Sequence, residues 1–453
     1  MNGITATPGT DATHHTAEPI TAAGSNPHYR WYVLALLWLV AVLRFVDLQI
    51  FAVLLEPIRR EMALTDTQLA LLGGLAFAVF YATLGLPIAW LADRSNRRNI
   101  IAGAVTLWSL MTVLCGQAGS FAALFLARMG VGVGEAGAYP PTTSLLADYF
   151  PAGLRARACA VLASAIPAGV CVGFLVGGLV AQHWGWRAAF SVVGLPGIVA
   201  GLVVLLTLRE APRSVDPAAR SETMRDGMRV LWASRAYRHV VTATCLFTLG
   251  AAGSGVWMPS FFMRQHGFDS AQVGAWMALL YGAGGLCGAL GGGWLSQHLA
   301  NTRGGNAWHA RVCAWSLTGT MPLLPFLFLH PSPGAALVFL GMMTTLMHMN
   351  SGPVLALVQT LGGCRRRALA HAFSMLVTNL VALPLGPLFV GLCSDIFSPR
   401  FGSSVLGLAM LALLLLAWAG AVLYFLRAAS WLGRPIAGNT AGNYSNPDFS
   451  PEA

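Results

Sequence analysis

Apolar residues along this chain of 453 residues fall in long runs, punctuated by short charged, Gly-rich or Pro-rich segments. A helix that crosses a bilayer needs about 20 apolar residues. Breaking the chain at its punctuation gives twelve such stretches: 31–54, 68–92, 99–118, 121–148, 158–182, 187–208, 239–263, 272–297, 312–330, 334–360, 370–396 and 403–426. Several are Gly-rich or contain Pro, which spanning helices tolerate when neighbours satisfy the freed backbone groups. The pattern predicts an all-α membrane protein. Composition agrees: 56% of residues are hydrophobic and 10% charged, with a mean hydropathy of +0.64. Ordinary soluble proteins carry about 25% charged residues, so a set of soluble domains is excluded for want of polar surface. The eight Cys are scattered singly, with no CxxC pair. That excludes a secreted disulfide scaffold and reads as small apolar side chains that pack.

The net charge of +10 could suggest a polyanionic partner, but its distribution points elsewhere. All 27 basic residues are Arg, and they sit in short loops between apolar runs. With both termini on one side, the loops of that side hold 20 Arg, the opposite loops hold five (Arg59, Arg60, Arg187, Arg264 and Arg400), and Arg44 and Arg128 lie inside spans. Such a bias predicts that both termini are cytoplasmic and that no nucleic acid is bound. Residues 1–29 are polar and resemble neither a signal nor a transit peptide. They and residues 429–453 are expected to be disordered cytoplasmic tails. The polar stretch 209–238 is expected to be a cytoplasmic linker between two six-helix bundles, 30–208 and 239–428.

The two halves echo each other. Gly-Leu-Pro-Ile-Ala-Trp-Leu-Ala-Asp-Arg (85–94) ends span two, and Gly-Gly-Gly-Trp-Leu-Ser-Gln-His (291–298) ends span eight. Arg155-Ala-Arg157-Ala before span five recurs as Arg365-Arg366-Arg367-Ala before span eleven. A parallel duplication of six spans, with a site near midplane between the halves, is the repeat logic of one large class of secondary transporters.

Specific residues carry a resemblance. Asp93-Arg94-Ser-Asn-Arg97-Arg98 after span two resembles the loop signature of the major facilitator superfamily, with Ala89 where that family usually has Gly. Locally, Asp93 can pair at a helix end while Arg94, Arg97 and Arg98 bind neighbouring helix C-termini, which makes these four residues a candidate cytoplasmic gate. Gln297 stands where the second copy would carry an acid. A longer series includes Leu64-Thr-Asp66-Thr-Gln68, the run from Arg128 through Gly130, Gly132, Gly134, Glu135 and Gly137 to Pro140-Pro141, then Asp148-Tyr-Phe150-Pro151, Gly185-Trp186-Arg187, and Arg209-Glu210-Ala-Pro212-Arg213. In the second half, Gly386-Pro387 through Gly391 to Ser394-Asp395 continues it. Together these resemble the Spinster group of that superfamily. The resemblance implies twelve transmembrane helices in two six-helix pseudo-repeat bundles. It also implies proton-coupled or facilitated movement of amphipathic, lipid-like solutes, with Asp47, Arg128 and Glu135 lining the central cavity. One departure stands out: the group usually has Asp-Arg in span one, whereas this chain has Asp47-Leu48, with an Arg at Arg44 instead.

An ionisable residue in hydrocarbon costs about 3 kcal/mol or more and is a functional candidate for that reason. Arg44 and Asp47 share one face of span one, and Arg128 and Glu135 share one face of span four. At about 1.5 Å per residue, Arg44 and Glu135 lie roughly 20 Å from the cytoplasmic helix ends, Asp47 roughly 24 Å and Arg128 roughly 30 Å. Arg44 is therefore expected to pair with Glu135, the alternative being a local Arg44–Asp47 pair. Glu135 is the candidate proton carrier, and a cavity Arg can hold a phosphate or carboxylate headgroup. A bland reading of the four charges is a structural ion network that fixes helix register.

Weaker signals come from His348, Asn350 and Asn379, candidates for lining the cavity that are equally at home in a helix interface, and from Tyr81, Trp257 and Tyr281, cavity candidates to flank an acyl chain, although such aromatics more commonly face lipid or core. Gly169, Gly173, Gly177 and Gly178 in span five have the spacing of close helix contact. No phosphate-binding loop, nucleophile elbow or metal motif occurs, which argues against an ATP-driven pump or an enzyme and for no cofactor or metal. The sequence is thus read as a monomeric secondary transporter of the bacterial inner membrane. Its expected partners are protons, the bilayer and an amphipathic anionic or lipid-like solute, and the alternative is a proton symporter of sugar acids or other small organic anions.

Overall fold

The computed structural model describes residues 27–92, 94–211 and 224–433, and every regular element among them is helical. The spans run Pro27–Met62, 66–92, Arg97–Gln117, 121–149, 152–184, 186–207, Arg235–Gln265, Ser270–Arg303, 307–329, 333–362, 364–401 and Val405–Leu432. Ten continuous stretches are long and apolar enough to cross a membrane. One of them, Gly153–Thr207, has 55 residues and counts as two, and the broken helix over 333–362 adds the twelfth span. At about 1.5 Å per residue the length of Gly153–Thr207 is far more than one crossing. This stretch turns at Gly185, where φ is 83°, a left-handed value that side chains resist. Span ten breaks at Met349–Asn350 and turns into span eleven at Gly363, with φ 60°.

Local chemistry starts several spans. Thr65 and Gln68 form a capping box at span two, and Asp269 and Gln272 form another at span eight. Asn96, Ser120 and Ser234 cap spans three, four and seven with side-chain oxygens. The helices outrun the apolar stretches at both ends. The first begins at Pro27 and the last continues to Leu432, so both reach into the segments expected as tails. The remainder of those tails lies outside the described residues. The stretch expected as linker contains a helix, Met224–Ala233, whose Trp232 meets Phe373 of span eleven edge-on at 5.6 Å.

The glycine ladder of span five does two jobs. Gly169, Gly173 and Gly177 lie against Val42, Phe45, Val46 and Ile50 of span one, within the first half. Gly178 instead meets Ser270 and Gly274 of span eight, in the second half. Span two carries a π turn at Leu71–Leu75, and there Gly74 abuts Leu383 and Pro384 of span eleven. These close approaches between halves gather in the part of each span remote from the termini, called here the distal face. The opposite face is the termini-side face, and Tyr139 of span four is 46% exposed.

Candidate functional site

Spans one, two, three and four bring the deep charges together inside the first half. The Arg44 Nε donates to Glu135 Oε2 at 2.9 Å, and its Nη2 donates to the Tyr81 hydroxyl at 2.9 Å. The guanidinium also lies over the rings of Tyr81, Phe45 and Tyr139 at 5.1, 5.4 and 6.0 Å. Arg44 therefore faces span four and not its own neighbour Asp47, as the matched depths of Arg44 and Glu135 suggest. Arg44 is 13% exposed and Glu135 fully buried, with Oε1 of Glu135 lacking a partner.

Behind this pair, Asp47 Oδ2 stands 3.5 Å from Arg128 Nη1, a charge contact too long for a hydrogen bond. Arg128 is 2% exposed and is held over Phe51 at 4.4 Å and Phe77 at 5.8 Å. Its Nε and Nη1 have no acceptor. The Thr112 hydroxyl donates to Asp47 Oδ1 at 2.6 Å. The site is thus layered, with one tight pair that is partly exposed through Arg44 and one loose pair that is fully buried. Beside Arg44 a cavity of about 150 Å³ is walled mainly by apolar side chains of spans one, four and five, including Leu37, Val40, Phe45, Leu146 and Ile166.

The other candidates are distributed differently. Tyr81 belongs to the first-half cluster through Arg44. Trp257 is buried and donates to the Pro387 carbonyl. Asn350 is buried and donates to Ser316 Oγ and the Met347 carbonyl. Both are buried in the second half, Trp257 bonded to span eleven and Asn350 to span nine and its own span. His348 pairs with the Thr344 carbonyl of its own helix and packs on Gly285 and Gly288 of span eight. Tyr281 packs on Phe174 across the halves at 5.8 Å, with its hydroxyl unpartnered. Asn379 is half-buried on span eleven.

In the basic loop, Asp93 lies outside the described residues. Arg97 is 3% exposed, and it donates to Asp148 at 2.5 Å, Glu210 at 2.7 Å, Ser144 at 2.9 Å and the Ala211 carbonyl at 2.9 Å. The Arg98 backbone N–H also donates to Glu210, while the Arg98 side chain donates to Asn99. Arg94 is exposed at the turn. The cluster therefore ties the starts and ends of spans three, four and six within one half. Asp148 and Glu210 were visible in the sequence as motif letters, but not as partners.

Sequence reasoning missed a second cluster, on the distal face. Arg264, at the end of span seven, donates to Glu56 at 2.6 Å and bidentately to Asp66 at 2.7 and 2.7 Å. Asp395 of span eleven accepts from the backbone N–H groups of Asp66 and Thr67, and Ser394 donates to Asp66. Every bond in this set except the Arg59 and Arg60 contacts to Glu56 joins one half to the other. Counting Arg264 as a topology signal hid its role. The acids at the ends of spans one, two and eleven were the available clue.

With the geometry in hand, the chain can be set beside known proteins. Residues 37–387 match the family model of the Major Facilitator Superfamily. The chain is 32% identical over 417 residues to an MFS-type efflux pump of Mycolicibacterium smegmatis, covering 90% of this chain and 94% of the relative. It is 29% identical to protein spinster homolog 1 of Homo sapiens, covering 91% and 82%. In structure it resembles a bacterial homolog of the human lysosomal transporter Spinster, crystallised inward-facing and unoccupied. That match has a TM-score of 0.78 at 29% identity and covers 90% of this chain and 97% of the other. These relatives are transporters and not enzymes. A chain of twelve spans in two related bundles, matched along most of its length and resembling the Spinster proteins, belongs to the Major Facilitator Superfamily.

Proposed function

We propose that this transporter carries an amphipathic, lipid-like organic anion coupled to protons, by alternating access. The observation that carries the reading is the double engagement of Arg44. Its guanidinium pairs with the buried Glu135 carboxylate, yet it also lines an apolar cavity. One guanidinium edge cannot serve two anions fully. A substrate headgroup that takes Arg44 leaves Glu135 as an uncompensated buried charge, and protonation is the least costly relief. Anion and proton binding are thereby linked, Glu135 being the proton carrier. The apolar wall beside Arg44 suits a substrate with a hydrocarbon portion, and Arg128 and Asp47 form the deeper stage.

Relatives support the solute class. The chain is 26% identical to a sphingosine-1-phosphate transporter of Danio rerio, covering 80% of this chain and 76% of that one. A second reading, proton symport of sugar acids or other small organic anions, draws on a probable sulfoacetate transporter of Cupriavidus necator, 28% identical over 58% of this chain. The arginine bias favours a bacterial inner membrane with the termini-side face cytoplasmic. A cluster contained within one chain is compatible with a working monomer. On this reading Arg97, with Arg94, Arg98 and Asp93, steadies the cytoplasmic side of the first half.

Purified protein in liposomes with an internal pH dye tests the proposal. Sphingoid phosphates, lysophospholipids, sulfoacetate and glucarate are supplied in turn across an imposed proton gradient. Accumulation of an amphipathic acid with matching proton movement is expected, lost in Glu135→Gln while substrate exchange persists. Accumulation indifferent to the gradient removes proton coupling, and uptake of the small acids alone favours the second reading.

A further inference from the structure

Asp47 has an arrangement of partners that Glu135 lacks. Its carboxyl is 1% exposed, and its only hydrogen bond among the described residues comes from the Thr112 hydroxyl at 2.6 Å. The charged and titratable groups around it are Arg128 and Glu135 from span four, Cys115 from span three, and Arg44 one turn away on its own helix. Span two contributes Phe77, with Tyr81 engaged at Arg44, and span five brings only glycine backbone against the neighbouring Val46. Arg128 stands off at 3.5 Å without a hydrogen bond, so the ionised carboxyl is poorly solvated.

Thr112 has a second acceptor in reach. The same Oγ1 lies 2.9 Å from the Trp108 carbonyl, one turn earlier on span three. A hydroxyl has one proton and two lone-pair sites, so it cannot donate fully to both. We propose that Thr112 is a positioning residue that works as a hydroxyl switch, allowing Asp47 to hold or release a proton as a second proton-binding group beside Glu135. With Asp47 ionised, the hydroxyl points at Oδ1. When a proton binds Oδ1, the new carboxyl O–H donates to Thr112 Oγ1 and the threonine proton turns to the Trp108 carbonyl. The incoming proton stays on Asp47, no covalent bond other than O–H forms, and one hydrogen bond becomes two. Neither protonation state leaves the hydroxyl unsatisfied.

The inference extends the proton-coupled reading given above, but the protonation of Asp47 can be measured without transport. Infrared difference spectra of protein reconstituted in liposomes are recorded across pH with ¹³C-labelled Asp, and the Asp47 carboxylic-acid band is identified by its loss in Asp47→Asn. In the wild type the band is expected to titrate, and Thr112→Ser should retain the midpoint. Thr112→Val removes both the donor to the ionised carboxylate and the acceptor of the protonated carboxyl's O–H, so the switch is read from the acid band itself, whose C=O stretch should rise in frequency in the variant. Thr112→Ala gives the same comparison should the valine variant fold poorly. An Asp47 acid band at the same frequency in the hydroxyl-free variants, or no such band between pH 4 and 10, overturns the switch. A band that titrates and shifts as expected, in a protein whose transport ignores the proton gradient, leaves the switch standing and removes the coupled reading instead.

Discussion

Replacing Arg264 with Gln should loosen the distal face and populate a state open on that side. The side chain is 12% exposed and contacts two carboxylates from the other half, Glu56 and Asp66, through three bonds of 2.6–2.7 Å. Glutamine removes the charge. Glu56 keeps Arg59 and Arg60, which are 38% and 66% exposed, so it is partly compensated. Asp66 keeps only the Ser394 hydroxyl as a side-chain donor. Removing one partner of a buried pair costs about 3–5 kcal/mol. The remaining partners and the rim position reduce this to about 2–3 kcal/mol, or a shift of roughly 30- to 150-fold between states. The shift is real only if the bonds exist in one state and not the other. They do so by construction, since they join halves that must separate for the distal face to open. Spin labels at His183 and Arg400, exposed distal sites on opposite halves, report the separation by double electron–electron resonance. Wild type should give mainly the short distance and Arg264→Gln a second, longer one. An unchanged distribution in a folded variant would refute the gate, and the Asp395 cap on span two would then be the stronger tie.

Three further outcomes are expected. Arg44→Leu should impair transport in reconstituted liposomes, and adding Leu48→Arg should restore part of it, because position 48 projects one turn along nearly the same face; a well-inserted Arg44→Leu protein with normal transport ends the role given to that charge. Arg97→Gln removes the buried cation that bonds Asp148 and Glu210 and should destabilise the protein by about 3 kcal/mol, read as a fall in melting temperature in detergent, whereas Arg98→Gln should be nearly neutral; equal melting temperatures for the two variants would contradict the role given to Arg97. Reporter fusions at Arg225 and Arg264 should give opposite sidedness, and identical sidedness removes the twelve-span topology.

The distinction between what the sequence revealed and what it hid follows from the range of each interaction. Span existence is local: apolar length is read one helix at a time, and even the turns at Gly185 and Gly363 fall at glycines between apolar runs. The Arg44–Glu135 pair joins residues 91 apart, yet it was legible. Depth in a bilayer is a coordinate shared by all spans, so counting residues from the helix ends aligned the two before any packing was known. Trp257 and Asn350 show the limit of that device. Depth sets the height of a side chain but not its azimuth, and both turn into the second-half core. The distal cluster lies beyond it altogether. Asp66 and Arg264 are 198 residues apart and belong to different halves, and each lies at a helix end where charged residues are unremarkable. Their significance depends on which state the halves adopt, which a linear pattern does not encode. The same argument assigns the two clusters different work. The charges legible by depth lie within one half, so on the proposed reading they keep their contacts for solute and protons as the halves move. Those that were not legible cross between halves, where breaking and remaking them accompanies the conformational cycle.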